Sequence, residues 1–280
     1  MRAIEVRNLS YRYPGQSDYA LLDLNLNVDE GEIVLLTGPS GCGKSSLIRC
    51  INGLIPQMYG GQYEGEVRVL GLNPAVTPTR VMSKHVGTVF QNPDNQLFAL
   101  SVEGDVAFSL ENLGLQRDDI EKRVREALER VGISELRKRS TFELSGGQKQ
   151  KVAIASILAL SPKILLLDEP TSSLDPLSAR SLIETLVELR RRDELTVMIA
   201  EHKTELLAPI ADKMVVMDNG TVIDEGHPRE VIERAIRFNY AINVPKVSQL
   251  SALLSEYLNS SIYLEVRDLV DALSEIGCSD

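Results

Sequence analysis

The sequence lacks any hydrophobic run long enough to cross a membrane. A spanning helix needs about 20 consecutive apolar residues, whereas the longest smooth stretch here covers residues 152–160 and contains Ser156. The first residues also lack the apolar core of a signal peptide. We therefore expect a chain that does not insert into the bilayer. Internal repeats and low-complexity tracts are missing as well.

Cysteine is scarce, and its placement argues against two kinds of structure. The chain has 3 cysteines, Cys42, Cys50 and Cys278, which lie far apart and form no C-x-x-C pair. An odd, dispersed set argues against a disulfide framework and against a zinc site. It favours a reducing, intracellular compartment.

The charge balance is acidic and contains no basic stripe. The 30 Lys and Arg residues are outnumbered by 40 Asp and Glu residues, and the basic cluster at 190–192 is followed at once by Asp193 and Glu194. Because nucleic-acid-binding proteins usually present a basic face, we expect no nucleic-acid partner. The 280 residues, 43% hydrophobic and 25% charged, fit a globular protein of one large or two small domains.

Buried strands alternate with helices along most of the sequence. Residues 33–36, 163–167 and 196–200 are continuous apolar runs, which are typical of strands covered on both faces. Residues 178–192, between the last two runs, carry apolar residues at helical spacing. This alternation predicts an α/β fold with a parallel core sheet.

Other segments have their own periodicity. At the N-terminus, Ile4 and Val6 are predicted on one face of a strand, and Leu9, Tyr11 and Tyr13 on the other. A second strand alternates at Leu22, Leu24, Leu26 and Val28. An amphipathic helix is predicted at 119–131, a hairpin with an Asn-Gly turn at 214–223, and helical stripes at 247–258 and 266–276.

A glycine loop carries the first chemical signal. It matches the pattern G-x-x-x-x-G-K-[ST], and with Ser46 its candidate ligands are Gly38, Pro39, Ser40, Gly41, Cys42, Gly43, Lys44 and Ser45. Backbone N–H groups of such a loop surround a phosphate, Lys44 reaches the β- and γ-phosphates, and Ser45 binds Mg²⁺. A chance match in a turn is the alternative. The loop follows a buried strand and opens a helix, as phosphate binding requires, so we predict a nucleotide site.

Two acids, Asp168 and Glu169, follow the apolar run 163–167. Ligands of α/β folds bind at the carboxyl ends of the strands. Asp168 can hold Mg²⁺ through its water shell, and Glu169 can orient or deprotonate the attacking water. The alternative is that both acids are simply solvated at the end of a strand. The presence of the glycine loop in the same chain favours the functional interpretation.

The segment Ser145, Gly146, Gly147 and Gln148 begins a further helix. Ser145 is predicted to be its N-cap, and the glycines keep the backbone bare at the start of the helix. This arrangement suits a second anion-binding helix terminus. An ordinary capped helix is an alternative that these residues leave open.

In their order, the glycine loop, the L-S-G-G-Q segment 144–148, the strand end at Asp168 and Glu169, and a later His202 resemble the motif set of the ATP-binding cassette (ABC) ATPases. The resemblance covers residues 1 to about 232. It implies a P-loop NTPase fold with an antiparallel N-terminal β-subdomain and a helical signature subdomain. In that family the signature segment of one subunit covers the γ-phosphate held by the other, so the resemblance implies a dimer that binds ATP and Mg²⁺ twice.

The remaining family positions are carried over one at a time. Gln91 resembles the glutamine that contacts Mg²⁺ and the attacking water. Residues 172–175, which end at Asp175, resemble the loop that crosses the dimer interface. His202 resembles the switch histidine that contacts the γ-phosphate. Its predecessor is Glu201, where Thr or Ser is more usual, which leaves the local hydrogen bonding open.

Tyr13 resembles the aromatic residue that stacks on adenine. Tyr11 shares its predicted face and could be confused with it. Packing within the strand is the alternative for Tyr13.

The segment that follows the family glutamine indicates the branch. Residues 92–98, followed by 105–108, resemble the energy-coupling-factor importers, which include cobalt- and nickel-uptake and vitamin-uptake ATPases. In these proteins the stretch lines a groove for a coupling helix of a membrane partner. Leu97, Phe98 and Leu100 either contact that helix or pack within the helical subdomain.

The resemblance divides the chain into a cassette at 1–235, with a helical subdomain at about 92–160, and a C-terminal helical extension at 236–280. In the family the extension helps to pair two cassettes, and covering the parent domain is the alternative. The sequence thus predicts the ATP-hydrolysing subunit of an energy-coupling-factor importer for cobalt, nickel or a vitamin. Its partners would be a second cassette, identical or paralogous, and integral membrane subunits, and it would lie at the cytoplasmic face of the cell membrane.

Three other readings compete with this one. A soluble cassette that acts in DNA repair or on the ribosome would carry coiled-coil arms or tandem cassettes. A small-molecule kinase would have no reason to carry residues 144–148. A regulatory cassette without activity would not need intact Glu169 and His202.

Overall fold

A computed structural model of the protein describes residues 1–254, 258 and 262–277. In this part of the chain the strands are β1 (Arg2–Arg12), β2 (Leu21–Asp29), β3 (Ile33–Thr37), β4 (Gln62–Val69), β5 (Val86–Val89), β6 (Ile164–Asp168), β7 (Thr196–Ala200), β8 (Lys213–Asp218) and β9 (Thr221–Gly226). The helices are α1 (Lys44–Ile51), α2 (Leu54–Gln57), α3 (Thr79–Met82), α4 (Val102–Asn112), α5 (Arg117–Arg130), α6 (Gly146–Leu158), α7 (Pro176–Asp193), α8 (Pro228–Phe238), α9 (Lys246–Leu253) and α10 (Val266–Gly277).

The central sheet has the strand order β5-β6-β7-β3-β8-β9. Its strands run parallel up to β8, and β9 closes the edge as an antiparallel hairpin with β8. Every residue of β3, β6 and β7 is buried. The predicted α/β fold with a parallel core sheet is therefore confirmed, because continuous apolar runs suit strands that are covered on both faces.

Alternate residues of the central strands serve two separate hydrophobic cores. In β6, Leu165 and Leu167 pack with helices α4, α5 and α6, whereas Ile164 and Leu166 pack with α1 and the N-terminal sheet. This division follows from the period of two in a strand, which sends successive side chains to opposite faces. The central strands therefore support α1, which follows the glycine loop, on one face and helices α4, α5 and α6 on the other.

The N-terminal sheet is antiparallel, with the order β2-β1-β4. The prediction that Leu9 and Tyr11 lie on the opposite face from Ile4 and Val6 is wrong, because all four side chains are buried in one core. The register of β1 shifts between Val6 and Leu9, and Asn8 has a positive φ of 47° there. A bulge of this kind adds a residue and reverses which parity faces the core.

The second strand also differs from its predicted pattern at one end. Leu24, Leu26 and Val28 are buried as expected, but the side chain of Leu22 is 45% exposed and Leu21 takes the buried position. Leu21 pairs with Tyr11 across the sheet. The positive φ of Asp23, 44°, marks the irregularity that changes the parity.

Among the described residues, the predicted C-terminal extension at 236–280 contains the end of α8, followed by α9 and α10. Val247, Leu258 and Leu269 form a small core of their own. Two residues of the predicted stripe, Leu250 and Leu253, are 47% and 82% exposed, so this part of the stripe is not covered by the described residues. The predicted stripe residue Tyr257, the side chain of Ile276 and the third cysteine, Cys278, lie outside the described residues.

None of the helices in the described ranges combines the length and the apolar character that crossing a membrane requires.

Candidate active site

The glycine loop connects the end of β3 to the start of α1 and approaches neighbouring backbone closely. Gly38 has a φ of 145°, and a Cβ there would lie 2.1 Å from the carbonyl oxygen of Met217. Gly43 has a φ of 108°, and a Cβ there would lie 2.5 Å from the oxygen of Ala20. Both positions therefore need glycine for steric as well as conformational reasons.

The side chain of Lys44 lies inside this loop. It is only 5% exposed. Its ammonium donates to the carbonyl oxygens of Gly38, at 2.9 Å, and Pro39, at 3.0 Å, and lies 3.6 Å from the sulfur of Cys42. Ser40 and Gly41 form the exposed tip of the loop. The loop thus concentrates positive charge and backbone donors at the start of α1, which is the chemistry of a phosphate site.

Asp168 ends β6 and lies beside the glycine loop. Its side chain is buried, and it accepts a hydrogen bond from the hydroxyl of Ser45. Burial raises the pKa of the Asp168 carboxyl above its ordinary value, and the Ser45 hydrogen bond acts in the opposite direction. A buried carboxylate and a hydroxyl are oxygen ligands of the kind that Mg²⁺ prefers.

Glu169 brings together two of the other predicted residues. Its Oε2 accepts a hydrogen bond of 2.6 Å from Nε2 of Gln91, and its Oε1 lies 3.1 Å from Nε2 of His202. The Glu169 backbone has a positive φ of 48°, and its N–H donates to the oxygen of Ala200 at 2.8 Å. This unusual conformation turns the Glu169 side chain away from the strand, so that consecutive acids serve different positions.

Tyr13 lies beside the same helix but is held by protein groups. Its hydroxyl lies 3.1 Å from the hydroxyl of Ser46 and accepts a hydrogen bond of 2.9 Å from Arg49. Its ring packs edge-to-face on Tyr11 and Tyr59. Tyr11 is fully buried, whereas Tyr13 is half-buried at the edge of the core. Of the two tyrosines, only Tyr13 is therefore accessible for contact with a ligand.

The segment Ser145–Gln148 forms the N-terminus of α6. The Ser145 hydroxyl accepts from the N–H of Gln148, and the Gln148 side chain accepts from the N–H of Ser145, which is a complete capping box. A Cβ at Gly147 would lie 2.9 Å from atoms of Ser178, and Gly146 faces Leu174. The segment is thus exposed but packs at its base against the start of α7.

Asp175 belongs to this second group of residues. Its carboxylate caps α7 by accepting from the N–H groups of Leu177 and Ser178 and from the Ser178 hydroxyl. Among the described residues, no hydrogen bond joins Ser145, Gln148 or Asp175 to the glycine loop of the same chain. The predicted residues therefore form two separate clusters in one chain, one at the glycine loop and one at the start of α6.

Glu201 is a residue of the site whose role could not be derived from the sequence. It is 1% exposed, and its carboxylate accepts hydrogen bonds from Thr171, His202 and Lys203. The signal was its departure from the residue types usual before the switch histidine. Asn243, at the entry to the extension, also contacts this loop by donating to the oxygen of His202 at 3.0 Å.

The chain is similar to known proteins in sequence and in fold. A family model of the ABC transporter matches residues 21–172. A relative in Pyrococcus abyssi, named as an ABC transporter ATP-binding protein, is 46% identical over 233 residues, which cover 83% of each chain. A similarly named relative in Methanosarcina acetivorans is 48% identical over 220 residues, or 79% of this chain.

Two solved structures are similar over most of their length. The cbiO1 protein of Clostridium perfringens, part of the ABC transporter complex cbiONQ, has 34% identity and a TM-score of 0.77, with 91% of this chain and 99% of that one covered. The ATP-binding cassette MJ0796, in a dimeric post-hydrolysis state with ADP and Pi, has 29% identity and a TM-score of 0.70, with 81% and 99% covered.

The curated relatives differ in length. This chain spans 34% and 43% of the first two Methanosarcina relatives but 83% of the Pyrococcus abyssi protein. The family model covers more than half of the chain and includes the glycine loop, Asp168 and Glu169. The chain belongs to the ABC transporter family and carries that family's ATP-binding, ATP-hydrolysing cassette.

Proposed function

We propose that this cassette powers an importer of the energy-coupling-factor type, for a transition-metal ion such as cobalt or nickel or for a vitamin. The similarity to cbiO1, a component of a cbiONQ complex, supports this branch over other ABC transporters. The observation that carries the proposal is a continuous segment from the active site to an exposed aromatic surface.

That segment begins at Gln91, which contacts Glu169, and ends at Phe98 and Leu100, which are 59% and 78% exposed. The Phe98 ring packs edge-to-face on Phe108 of α4 at a centroid distance of 4.4 Å, and Phe108 is itself 41% exposed. We call Phe98, Leu100 and Phe108 the aromatic surface. Exposed apolar clusters of this kind mark protein contacts, and this one suits an apolar helix of a membrane subunit.

The segment is also tied to α6. The ammonium of Lys149 lies 2.6 Å from the carboxylate of Asp94. Asp105, which is buried in α4, accepts from the N–H groups of Phe98 and Ala99. A displacement at the aromatic surface would therefore reach both the Gln91 side chain and the helix that begins at Gly146. This linkage supports a role in coupling ATP hydrolysis to a membrane partner.

Within the site, each group has a chemical role. Residues 38–46 and Lys44 would hold the phosphates through N–H groups and charge, and Tyr13 would contact the base. The hydroxyl of Ser45, the carboxylate of Asp168 and the amide oxygen of Gln91 would hold Mg²⁺, which fits their hard oxygen donors. When bound, Mg²⁺ supplies charge neutralisation on the phosphate oxygens.

Hydrolysis would depend on Glu169 as the base toward the attacking water. Gln91 and His202 contact opposite oxygens of this carboxylate, which fixes its orientation. His202 would also reach the γ-phosphate. It would thereby hold the base, the attacking water and the phosphate in fixed positions relative to one another. Most of the rate in such sites comes from positioning and charge stabilisation.

A second cassette would complete the site. Ser145, Gly146, Gly147 and Gln148, with Asp175 beside them, lie apart from the glycine loop of their own chain and would cover the γ-phosphate of a partner. The dimeric form of MJ0796 supports this arrangement. In the extension at 236–280, the exposed Leu250, Leu253 and Val270 would contribute to pairing. The assembly would lie at the cytoplasmic face of the cell membrane.

Co-purification in detergent tests the proposal. The chain would be expressed with the membrane subunits of an energy-coupling-factor importer, and the amount retained on the tagged membrane subunit would be measured. Replacing Phe98 and Leu100 by Ser should reduce retention about tenfold or more, because central apolar contacts dominate such interfaces. The matched control is Val76→Ser, at a residue that is 76% exposed on another surface.

Unchanged retention of the Phe98 and Leu100 variant would contradict the proposed docking surface. Transport by the same complex would identify the cargo class. Uptake of radiolabelled cobalt, nickel or individual vitamins by cells that express the complex should depend on this chain. No dependence for any of these cargoes would contradict the importer branch.

A further inference from the structure

The buried carboxylate of Glu201 joins the loops that follow two neighbouring strands. Its Oε2 accepts from the N–H of Thr171 at 3.2 Å and from the Thr171 hydroxyl at 2.6 Å. Its Oε1 accepts from the N–H of His202 at 2.8 Å and, more weakly, from that of Lys203 at 3.4 Å. The side chain is 1% exposed, so these protein donors replace water.

Both ends of this bridge lead to the active site. Thr171 follows Glu169 by two residues after β6, and the carboxylate of Glu169 lies 3.1 Å from the His202 ring. The backbone supports the same junction, since the N–H of Glu169 donates to Ala200 and that of Glu201 donates to Leu36. The Lys203 ammonium lies 3.5 Å from the Thr171 oxygen and adds a longer contact.

A carboxylate is the side chain that suits this position. Each of its oxygens accepts two hydrogen bonds here, and an ionised carboxylate has enough lone pairs for all four. An amide offers one acceptor oxygen, and its NH₂ group would face N–H donors. Hydrogen bonds to a buried charge are also stronger than neutral ones.

We propose that Glu201 is a positioning residue that holds the switch histidine against the catalytic base. It fixes the His202 backbone relative to Thr171, and so fixes the distance between the His202 ring and Glu169. Glu201 does not contact the reacting atoms, and it acts on hydrolysis through His202. This inference rests on the proposed roles of Glu169 and His202.

The test combines substitutions at the two positions. Glu201→Gln should lower kcat for ATP hydrolysis about tenfold or more, because small displacements in a reacting arrangement cost up to about 10²-fold. The Kd for a fluorescent ATP analogue should change less than about twofold, because the Glu201 carboxylate is bound by Thr171, His202 and Lys203 and not by residues of the glycine loop. Glu201→Asp, which keeps the charge, should restore part of the lost kcat.

The decisive measurement is single-turnover hydrolysis in a His202→Ala background. If Glu201 acts through His202, adding Glu201→Gln there should lower the rate less than about twofold, since effects that pass through one group are not additive. An equal, multiplicative loss in both backgrounds would overturn the inference while leaving the role of His202 intact. A wild-type rate in His202→Ala alone would overturn the role of His202 and, with it, this inference.

Two further variants separate positioning from folding. Thr171→Val removes one donor at 2.6 Å and leaves the Glu201 carboxylate with its other donors, so it should lower kcat severalfold. This variant provides the test if Glu201→Gln does not fold. Asp212→Asn is the matched control, because this carboxylate accepts from the N–H of Ile33 at the opposite end of the sheet. It should lower thermal stability and leave kcat unchanged. Wild-type kcat in Glu201→Gln, or in Thr171→Val where Glu201→Gln does not fold, would overturn the proposal.

Discussion

At the scale of single residues, the active site separates two consecutive acids by backbone conformation. Asp168 is the last residue of β6 and faces Ser45, whereas Glu169 has a φ of 48° and faces Gln91 and His202. Left-handed backbone in a residue other than glycine is uncommon and costs free energy. Here it lets one strand end supply both groups of the proposed mechanism, the metal ligand Asp168 and the base Glu169.

The replacement Glu169→Gln tests the base. ATP binding should persist, because the glycine loop is untouched, while kcat for hydrolysis should fall by about 10²–10⁴-fold. The protein should also accumulate as a closed ATP-bound dimer, which size-exclusion chromatography with ATP and Mg²⁺ would detect. Glu184→Gln, an exposed carboxylate on α7, is the control. Near-normal turnover in Glu169→Gln would contradict the assignment.

The replacement Asp168→Asn tests whether the buried charge of the proposed metal ligand lowers the stability of the fold. Burial raises the pKa of the Asp168 carboxyl above its ordinary value of 3.8. As pH rises past 3.8, the folded state therefore holds this proton more tightly than the unfolded state does. The contribution of Asp168 to the free energy of unfolding consequently falls as pH rises. Without nucleotide and Mg²⁺, Asn should therefore raise the free energy of unfolding at pH 7. The gain should disappear below pH 3.8.

Urea unfolding at several pH values measures this effect. The same variant should lose Mg²⁺-dependent stabilisation by ATP, because it loses a charged oxygen ligand. A loss of stability at pH 7 in Asp168→Asn would contradict the proposed cost of burial.

The sequence was informative at this scale wherever spacing limits residue type. The loop from Gly38 to Ser45 and the pair Asp168 and Glu169 could be found because each motif must adjoin a buried strand. Glu201 could not be interpreted in the same way. Its donors include Thr171, 30 positions away in the sequence, and only the fold brings them together.

At the scale of elements, close contacts of backbone and side chain fix where α6 lies on the sheet. Gly87 of β5 faces Ile157 of α6, and a Cβ at Gly87 would lie 1.9 Å from Cγ2 of Ile157. The φ of Gly87 is not positive, so packing rather than backbone conformation requires glycine here. This contact sets the depth of the helix that begins with the signature segment.

Gly87→Ala should therefore destabilise the protein by roughly 1–3 kcal/mol through overpacking. In the double variant Gly87→Ala with Ile157→Ala, the removed Cγ2 makes room for the new methyl group. The double variant should consequently lose less stability than the sum of the two single variants, as measured by urea unfolding. Strict additivity would contradict this packing account.

Hydrophobic periodicity predicted where the strands and helices lie better than it predicted which of their faces are buried. The three apolar runs became β3, β6 and β7, and the helix predicted at 119–131 is α5, at Arg117–Arg130. The faces of β1 and β2 were wrong because the irregularities at Asn8 and Asp23 each change the parity. An asparagine or aspartate in an otherwise alternating strand tolerates positive φ, but the sequence alone does not distinguish a bulge from a continued strand.

At the scale of the whole molecule, the predicted site residues of one chain fall into two clusters. The glycine loop, Asp168, Glu169 and His202 form one cluster, and the start of α6 with Asp175 forms the other. The family resemblance predicted the members of both clusters from the sequence. It could not give their separation, which depends on how α6 and α7 pack against the sheet.

Mixing two inactive variants tests whether the clusters of different chains meet. Lys44→Ala disables a glycine loop, and Ser145→Arg blocks the start of α6, which in the proposed dimer would cover the partner's nucleotide. A heterodimer of the two retains one site with both parts intact. If random pairing makes half of the dimers mixed, activity should recover to about a quarter of the wild-type ATPase rate in an equimolar mixture, as expected for a two-fold symmetric dimer.

Mixing Lys44→Ala with Glu169→Gln is the matched control. These two lesions lie in the same cluster, so each site of the mixed dimer would carry one of them, and no activity should return. Native mass spectrometry would verify that mixed dimers form in both experiments. If the dimers form but Lys44→Ala with Ser145→Arg recovers no more activity than the control, the cross-subunit site is wrong, and the exposed start of α6 must serve another contact.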